Sequence, residues 1–198
     1  MSVASVCVLA AVLTVFPRFL AYIESRPGVR IADPVLYLFT PLDLTWVTFA
    51  LIYAGLVVAL IVLSRHPVRF LLALQAYTIM VVVRMVVMYV APFEPPATMI
   101  PLNDPFVQLF GSGQILTKDL FFSGHTATLL VLAFAADRPW LRFSYFAMAG
   151  LVGVCVILQH VHYTADVLVA IPFAYLAYRL ASVLVSFIAP PAAGHGVP

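Results

Sequence analysis

Charge is what this chain has least of: Asp, Glu, Lys and Arg make up 9% of its 198 residues, against roughly 25% in a soluble domain. With 64% hydrophobic residues and a mean hydropathy of +1.10, an ordinary water-soluble fold is excluded. The net charge of +2 is too small for a nucleic-acid surface, so no nucleic-acid partner is expected. Cysteine is scarce as well. Cys7 and Cys155 each lie inside an apolar run without a second pair nearby, and read as small buried hydrophobes rather than a disulfide or metal ligands. The N-terminus lacks a basic n-region and a small-residue cleavage pattern before Pro17-Arg18, so its apolar run reads as a retained helix. No internal repeat or low-complexity tract breaks the chain.

What is abundant is long apolar sequence. A helix of about 20 apolar residues crosses a hydrocarbon layer about 30 Å thick. Six such runs predict an all-α, polytopic six-helix bundle filling residues 1–198 as one membrane domain. The expected spans are 3–22, 44–63, 70–90, 121–136, 140–158 and 163–184, with a flexible Pro/Gly/Ala tail at 189–198. Arg65, His66 and Arg69 fill the link between spans two and three, and Asp137, Arg138 and Arg142 the link between four and five. The link at 91–120 instead carries Glu94, Asp104 and Asp119 against Lys118. Lys and Arg gather on the cytoplasmic side. Both termini are therefore expected inside, and the 1–2, 3–4 and 5–6 links outside, although Arg26 and Arg30 in the first link work against that bias.

Against this background the polar residues stand out, because each is costly in a membrane and is a functional candidate by default. His125 opens span four in Ser123-Gly124-His125-Thr126, and His162 opens span six in His162-Tyr163-Thr164-Ala165-Asp166. Two crossings separate the histidines, so both face one compartment whatever the orientation. Each motif sits at a helix N-terminus, where unpaired N–H groups and the macrodipole favour an anion. Ser123 suits the N-cap and Gly124 a close backbone approach to a ligand. His162 and Asp166 are four apart and share a helix face, where a carboxylate on one ring nitrogen makes the other a better nucleophile. Arg84, deep in span three, suits a bidentate clamp on phosphate oxygens; its alternative is an ion pair with a carboxylate on another helix. Asp119, four before Ser123, suits steering a base or binding a cationic headgroup, and equally a solvated loop charge. His160 reads as a solvated turn residue. Tyr163 joins the substrate-binding candidates, although like Tyr89, Trp140 and Tyr178 it also suits a membrane interface.

Asp119-Leu120-Phe121-Phe122-Ser123-Gly124-His125-Thr126 and His162-Tyr163-Thr164-Ala165-Asp166-Val167 resemble the two signature motifs of the sphingomyelin synthase family, a branch of the type 2 phosphatidic acid phosphatase superfamily. Arg84 through Met88-Tyr89-Val90, and Pro41-Leu42-Asp43, resemble further family elements more loosely. The resemblance implies six spans, a site on the exoplasmic face, no metal or other cofactor, and lipid substrates. It also implies His162 as nucleophile, Asp166 as its orienting carboxylate and His125 as acid–base. Family members move phosphocholine from phosphatidylcholine to ceramide, and relatives use phosphoethanolamine or phosphoinositol. The chain departs from the family in having Lys118 where many members have glycine and Val87 where they have threonine. It also lacks their cytosolic extensions, and the basic motif of the lipid phosphatases is absent.

The expected activity is transfer of a phosphorylated headgroup from a glycerophospholipid to a lipid alcohol through a phosphohistidine, with the imidazoles facing across a phosphate-sized gap. The site would face the outside of a bacterial inner membrane. A hydrolase (lipid phosphate phosphatase or phospholipase C) would share the site and differ in letting water attack. A lipid-binding scaffold or transporter would spread its polar groups along an inner pathway rather than gather them at one face.

Overall fold

The computed structural model describes residues 2–104 and 116–188, so the expected tail at 189–198 lies outside the described residues. Six α-helices are present among them: α1 (Ser2–Ser25), α2 (Thr45–Leu63), α3 (Pro67–Val90), α4 (Gly124–Ala135), α5 (Pro139–Leu158) and α6 (Thr164–Ile188), with a short 3-10 turn at Leu36–Leu38. Local chemistry marks the boundaries. Pro67 and Pro139 open α3 and α5, where their missing N–H costs nothing. Before α2, Asp43 Oδ1 accepts from the Thr45 amide at 3.0 Å, and hydrogen bonds from Thr45 hold the Asp43 carboxyl below its ordinary pKa. α1 runs through Pro17 and α6 through Pro172 without a break.

Five helices, α1, α2, α3, α5 and α6, are long and apolar enough to cross a membrane. The fourth expected span is not one of them. Residues 121–123 form the approach to α4 rather than its first turn, and the helix itself has 12 residues, a rise of about 18 Å. It lies against α2, α3, α5 and α6, with Thr126, Ala127, Leu129–Ala133 and Ala135 buried. A helix sheathed by other helices need not match the lipid thickness, because protein satisfies whatever its ends expose.

The long helices bury one seam and turn apolar faces outward. On α6 the seam is Ala170, Ala174, Ala177 and Ala181, small residues that let neighbouring helices approach closely, while Leu168, Ile171, Leu180 and Phe187 face out. α1 leans on α3 with little of its surface buried, and Cys7 sits on its exposed face rather than in the core. Such outward faces fit an integral membrane protein.

The links 1–2, 3–4 and 5–6 meet at one end of the bundle. Val29 bridges to Phe93, the Leu42 amide donates to Leu158 O, and the Ile100 amide donates to Gln159 O. Gln159, which the sequence did not single out, is wholly buried and ties these links together. Its Oε1 accepts from the Leu44 amide, and its Nε2 donates to Thr45 Oγ1 and Ile100 O. Both histidine motifs lie at this end.

Candidate active site

The first motif is set by its cap. Ser123 Oγ accepts from the Thr126 amide at 3.4 Å and donates to Thr126 Oγ1, and the residue is fully buried. Ser123 therefore shapes the start of α4 and does not line the cavity beside it. The second motif is set by a carboxylate. Asp166 Oδ2 accepts from the Tyr163 amide at 3.0 Å and lies 3.4 Å from His162 Nδ1. Asp33, also passed over in the sequence, accepts from the Thr164 amide at 2.6 Å and satisfies another open donor of α6. The motifs are joined directly, because the Ser123 amide donates to Asp166 O at 3.1 Å.

The two imidazoles meet with ring centroids 5.9 Å apart and planes inclined at 63°. They share the end of the bundle where the links before α4 and α6 meet. His162 and Asp166 are completely buried, and with Nδ1 turned to Asp166, His162 Nε2 has no hydrogen-bond partner among the described residues. That is the nitrogen a nucleophile would use. His125 Nδ1 is likewise a buried atom without a partner among the described residues, and its ring packs edge-on against Phe49. In-line transfer needs an attack distance of about 3 Å, the breaking P–O bond and a hydrogen bond of about 3 Å in series between the two reacting nitrogens.

A cavity of about 470 Å³ reaches His125 but not His162. Its walls are mainly apolar, from Leu20 on α1 through Ile52 and Leu56 on α2 to Met80 on α3. Arg84, Asp119, Asp104 and Asn103 supply its polar patch. Tyr53, not singled out in the sequence, donates to Asp104 Oδ1 at 2.6 Å in the same wall.

Arg84 is where the structure alters the sequence picture most. Its guanidinium is engaged by Asp119, with Nη2 2.8 Å from Oδ1, Nη1 donating to Oδ2 at 3.3 Å and Nη2 donating to the Asp119 carbonyl at 3.2 Å. Nε donates to Phe122 O at 2.7 Å. The ion-pair alternative thus finds its carboxylate in Asp119, which lies in the approach to α4 rather than on another helix. A Cβ at Gly124 would lie 2.6 Å from Arg84 Nη1, so it is the guanidinium that comes close to this backbone. A cation laid against a helix N-terminus is held against the macrodipole and needs an anion beside it. Asp119 is that anion here.

Tyr163 is 1% exposed, packs with Leu36 and Leu120, and donates from its hydroxyl to Glu94 O at 2.8 Å; it does not line the cavity at His125 but, with His160, borders a second one. His160 is buried rather than solvated. Its Nδ1 meets Thr98 Oγ1, its ring lies edge-on to Phe39, and its φ of 57° is left-handed; burial lowers its pKa. Among the described residues no three His, Cys, Asp or Glu side chains are grouped so as to ligate a metal.

No curated protein and no solved structure matches the chain. A family model described as PAP2 superfamily C-terminal matches residues 118–183, which run from the approach to α4 through most of α6 and contain His125, His162 and Asp166. That match supports the PAP2 superfamily, and with it a function of the lipid phosphatase or phosphotransferase type, on the segment that holds both histidines.

Proposed function

We propose that this protein is an integral-membrane lipid phosphotransferase that resembles the sphingomyelin synthases. It moves phosphocholine or phosphoethanolamine from a glycerophospholipid to a lipid alcohol such as ceramide or diacylglycerol. One observation carries the reading: His162 is wholly buried, held by Asp166 on one nitrogen and bare on the other, beside His125 at the end of an apolar cavity. A phosphohistidine formed there is shielded from water, which favours attack by a lipid hydroxyl over hydrolysis.

In the first step His162 Nε2 attacks phosphorus while the bond from phosphorus to the diacylglycerol oxygen breaks, and His125 gives that oxygen its proton. In the second, His125 takes the proton of the acceptor hydroxyl, whose oxygen attacks phosphorus as the P–N bond breaks and frees His162. Arg84 leaves some of its contacts with Asp119 to hold the phosphate oxygens, and the His125 ring swings aside to admit the phosphorus. The site faces the extracytoplasmic side of a bacterial inner membrane. No metal or cofactor takes part in this scheme.

The same residues would serve a lipid phosphatase or phospholipase C, and the superfamily match favours that reading equally. Incubation of the purified protein in nanodiscs with isotopically labelled phosphatidylcholine and phosphatidylethanolamine, with and without ceramide or diacylglycerol, separates the two. Transfer gives labelled headgroup on the acceptor and little product without it. Free phosphocholine, phosphoethanolamine or phosphate appearing at the same rate without an acceptor overturns transfer in favour of hydrolysis.

A further inference from the structure

The approach to α4 is pinned from outside the cavity. Glu24, at the end of α1, accepts through Oε2 from the amides of Thr117 at 2.9 Å and Lys118 at 3.0 Å. The Lys118 side chain then crosses both outer links: Nζ donates to Arg26 O at 2.6 Å and pairs with Glu94 Oε1 at 2.8 Å. Glu94 is the other hub. The same Oε1 accepts from the Gly28 amide at 2.9 Å, the Glu94 amide donates to Val29 O at 3.0 Å, and its carbonyl accepts from the Tyr163 hydroxyl at 2.8 Å. The hydrogen bonds from Lys118 and the Gly28 amide hold the Glu94 carboxyl below its ordinary pKa. Gly28 is needed here, because a Cβ would sit 2.7 Å from the Phe93 carbonyl carbon.

The two ends of this pin are the two halves of the site. Lys118 is bonded in sequence to Asp119, which holds Arg84. Glu94 O holds Tyr163, which follows His162 and gives its amide to Asp166. Neither Lys118 nor Glu94 lines the cavity. The Lys118 and Glu94 side chains are 15% and 27% exposed, so the pair is shielded from much of the screening that weakens open surface ion pairs.

We infer that Lys118 and Glu94 are positioning residues: their ion pair fixes the spacing between the Arg84–Asp119 pair, which faces the phosphate oxygens, and the His162–Asp166 pair, which attacks phosphorus. The inference rests on the proposed phosphotransfer at this site. Transfer in line is steep in distance, and a shift of about 1 Å caused far from the chemistry can cost about 100-fold in rate. Lys118 therefore acts on kcat more than on lipid binding, and the two residues act as one unit.

The experiment uses the full chain in nanodiscs, with headgroup transfer from labelled phospholipid followed as kcat and KM per folded molecule. Lys118→Met lowers kcat about tenfold while KM stays within about twofold, and Lys118→Arg, which can still reach Glu94, restores most of it. The double variant Lys118→Met with Glu94→Gln is no slower than Lys118→Met alone, because one interaction is removed only once. Hydrogen exchange of the amides at 116–124 rises in Lys118→Met and reads the pin without turnover. A brace without a positioning role lowers the melting temperature and leaves kcat per folded molecule at the wild-type value; that result overturns the inference, as do additive losses in the double variant. A wild-type protein that neither transfers nor hydrolyses any of the lipids overturns the phosphotransfer reading instead, whatever the exchange data show.

Discussion

Arg84→Lys separates a phosphate clamp from a structural ion pair. Arginine spreads its contacts over three nitrogens: Nε to Phe122 O at 2.7 Å, Nη2 to Asp119 Oδ1 at 2.8 Å and to the Asp119 carbonyl at 3.2 Å, and Nη1 to Asp119 Oδ2 at 3.3 Å. A lysine ammonium keeps the charge at one point and reaches about two of these acceptors. Hydrogen bonds to charged groups are worth roughly 1.5–3 kcal/mol each, and the two lost ones are the longer, so a loss of about 2–3 kcal/mol is expected. If the fork transfers to the phosphate in the transition state, that loss appears as a fall in kcat/KM of at least about tenfold, since about 1.4 kcal/mol is one decade. Asp119→Asn supplies the contrast. It weakens the resting pair and lowers the melting temperature, yet it leaves Arg84 free for phosphate and does not raise KM. Labelled-lipid turnover with thermal unfolding on the same preparations reads both. Near-normal kcat/KM for folded Arg84→Lys, or losses in both variants that only follow the folded fraction, would refute the clamp.

Three further outcomes are expected. His162→Ala abolishes turnover and the acid-labile label that rapid quench and mass spectrometry find at residue 162, whereas Asp166→Asn retains a small activity, because Nε2 keeps its place but loses its oriented partner; ordinary turnover by His162→Ala sinks the phosphohistidine. Gly124→Ala pushes a methyl against a guanidinium held on its far side by Asp119 and Phe122, so activity falls at least about tenfold and stability by about 1–3 kcal/mol in denaturant unfolding, with an unchanged variant counting against the close approach. In intact cells a Cys7→Ser background carrying Ala97→Cys labels with an impermeant thiol reagent and one carrying Ser64→Cys does not, and the reverse pattern inverts the topology.

What was legible in the sequence follows a physical division. Five long helices were legible because a run of about 20 apolar residues has one stable form in lipid. α4 was not, because its sequence is as apolar as a crossing helix while its length is set by four neighbouring helices that bury it. The His162–Asp166 pair was legible because partners four apart on a helix are local. The placement of His125 and His162 at one end of the bundle was expected from the order of the helices, whereas the 5.9 Å approach of their rings was not. Arg84 with Asp119, Tyr53 with Asp104, and Lys118 with Glu94 are contacts between distant segments, and they depend on how three links cross at one end of the bundle. Sequence showed that a buried arginine must have an anion without showing which one.

That missing partner changes the chemistry more than any missing helix boundary does. A paired arginine has its charge neutralised in the resting state, so Arg84 can lie deep among apolar helices without the full cost of an isolated ion. In the proposed scheme a phosphate must displace a carboxylate carrying a similar charge, and the gain in binding is smaller than for a bare guanidinium. Whatever the exchange contributes to rate must therefore come from the better fit of the fork to the trigonal oxygens of a phosphoryl group in transfer than to Asp119. The same logic holds at the other half of the site. Among the described residues His162 Nε2 is buried without a hydrogen-bond partner, and in the proposed mechanism it is the nitrogen that bonds to phosphorus. In that scheme one half of the site exchanges a partner and the other gains one. Both exchanges occur at the end of the bundle where Lys118 and Glu94 hold the links together.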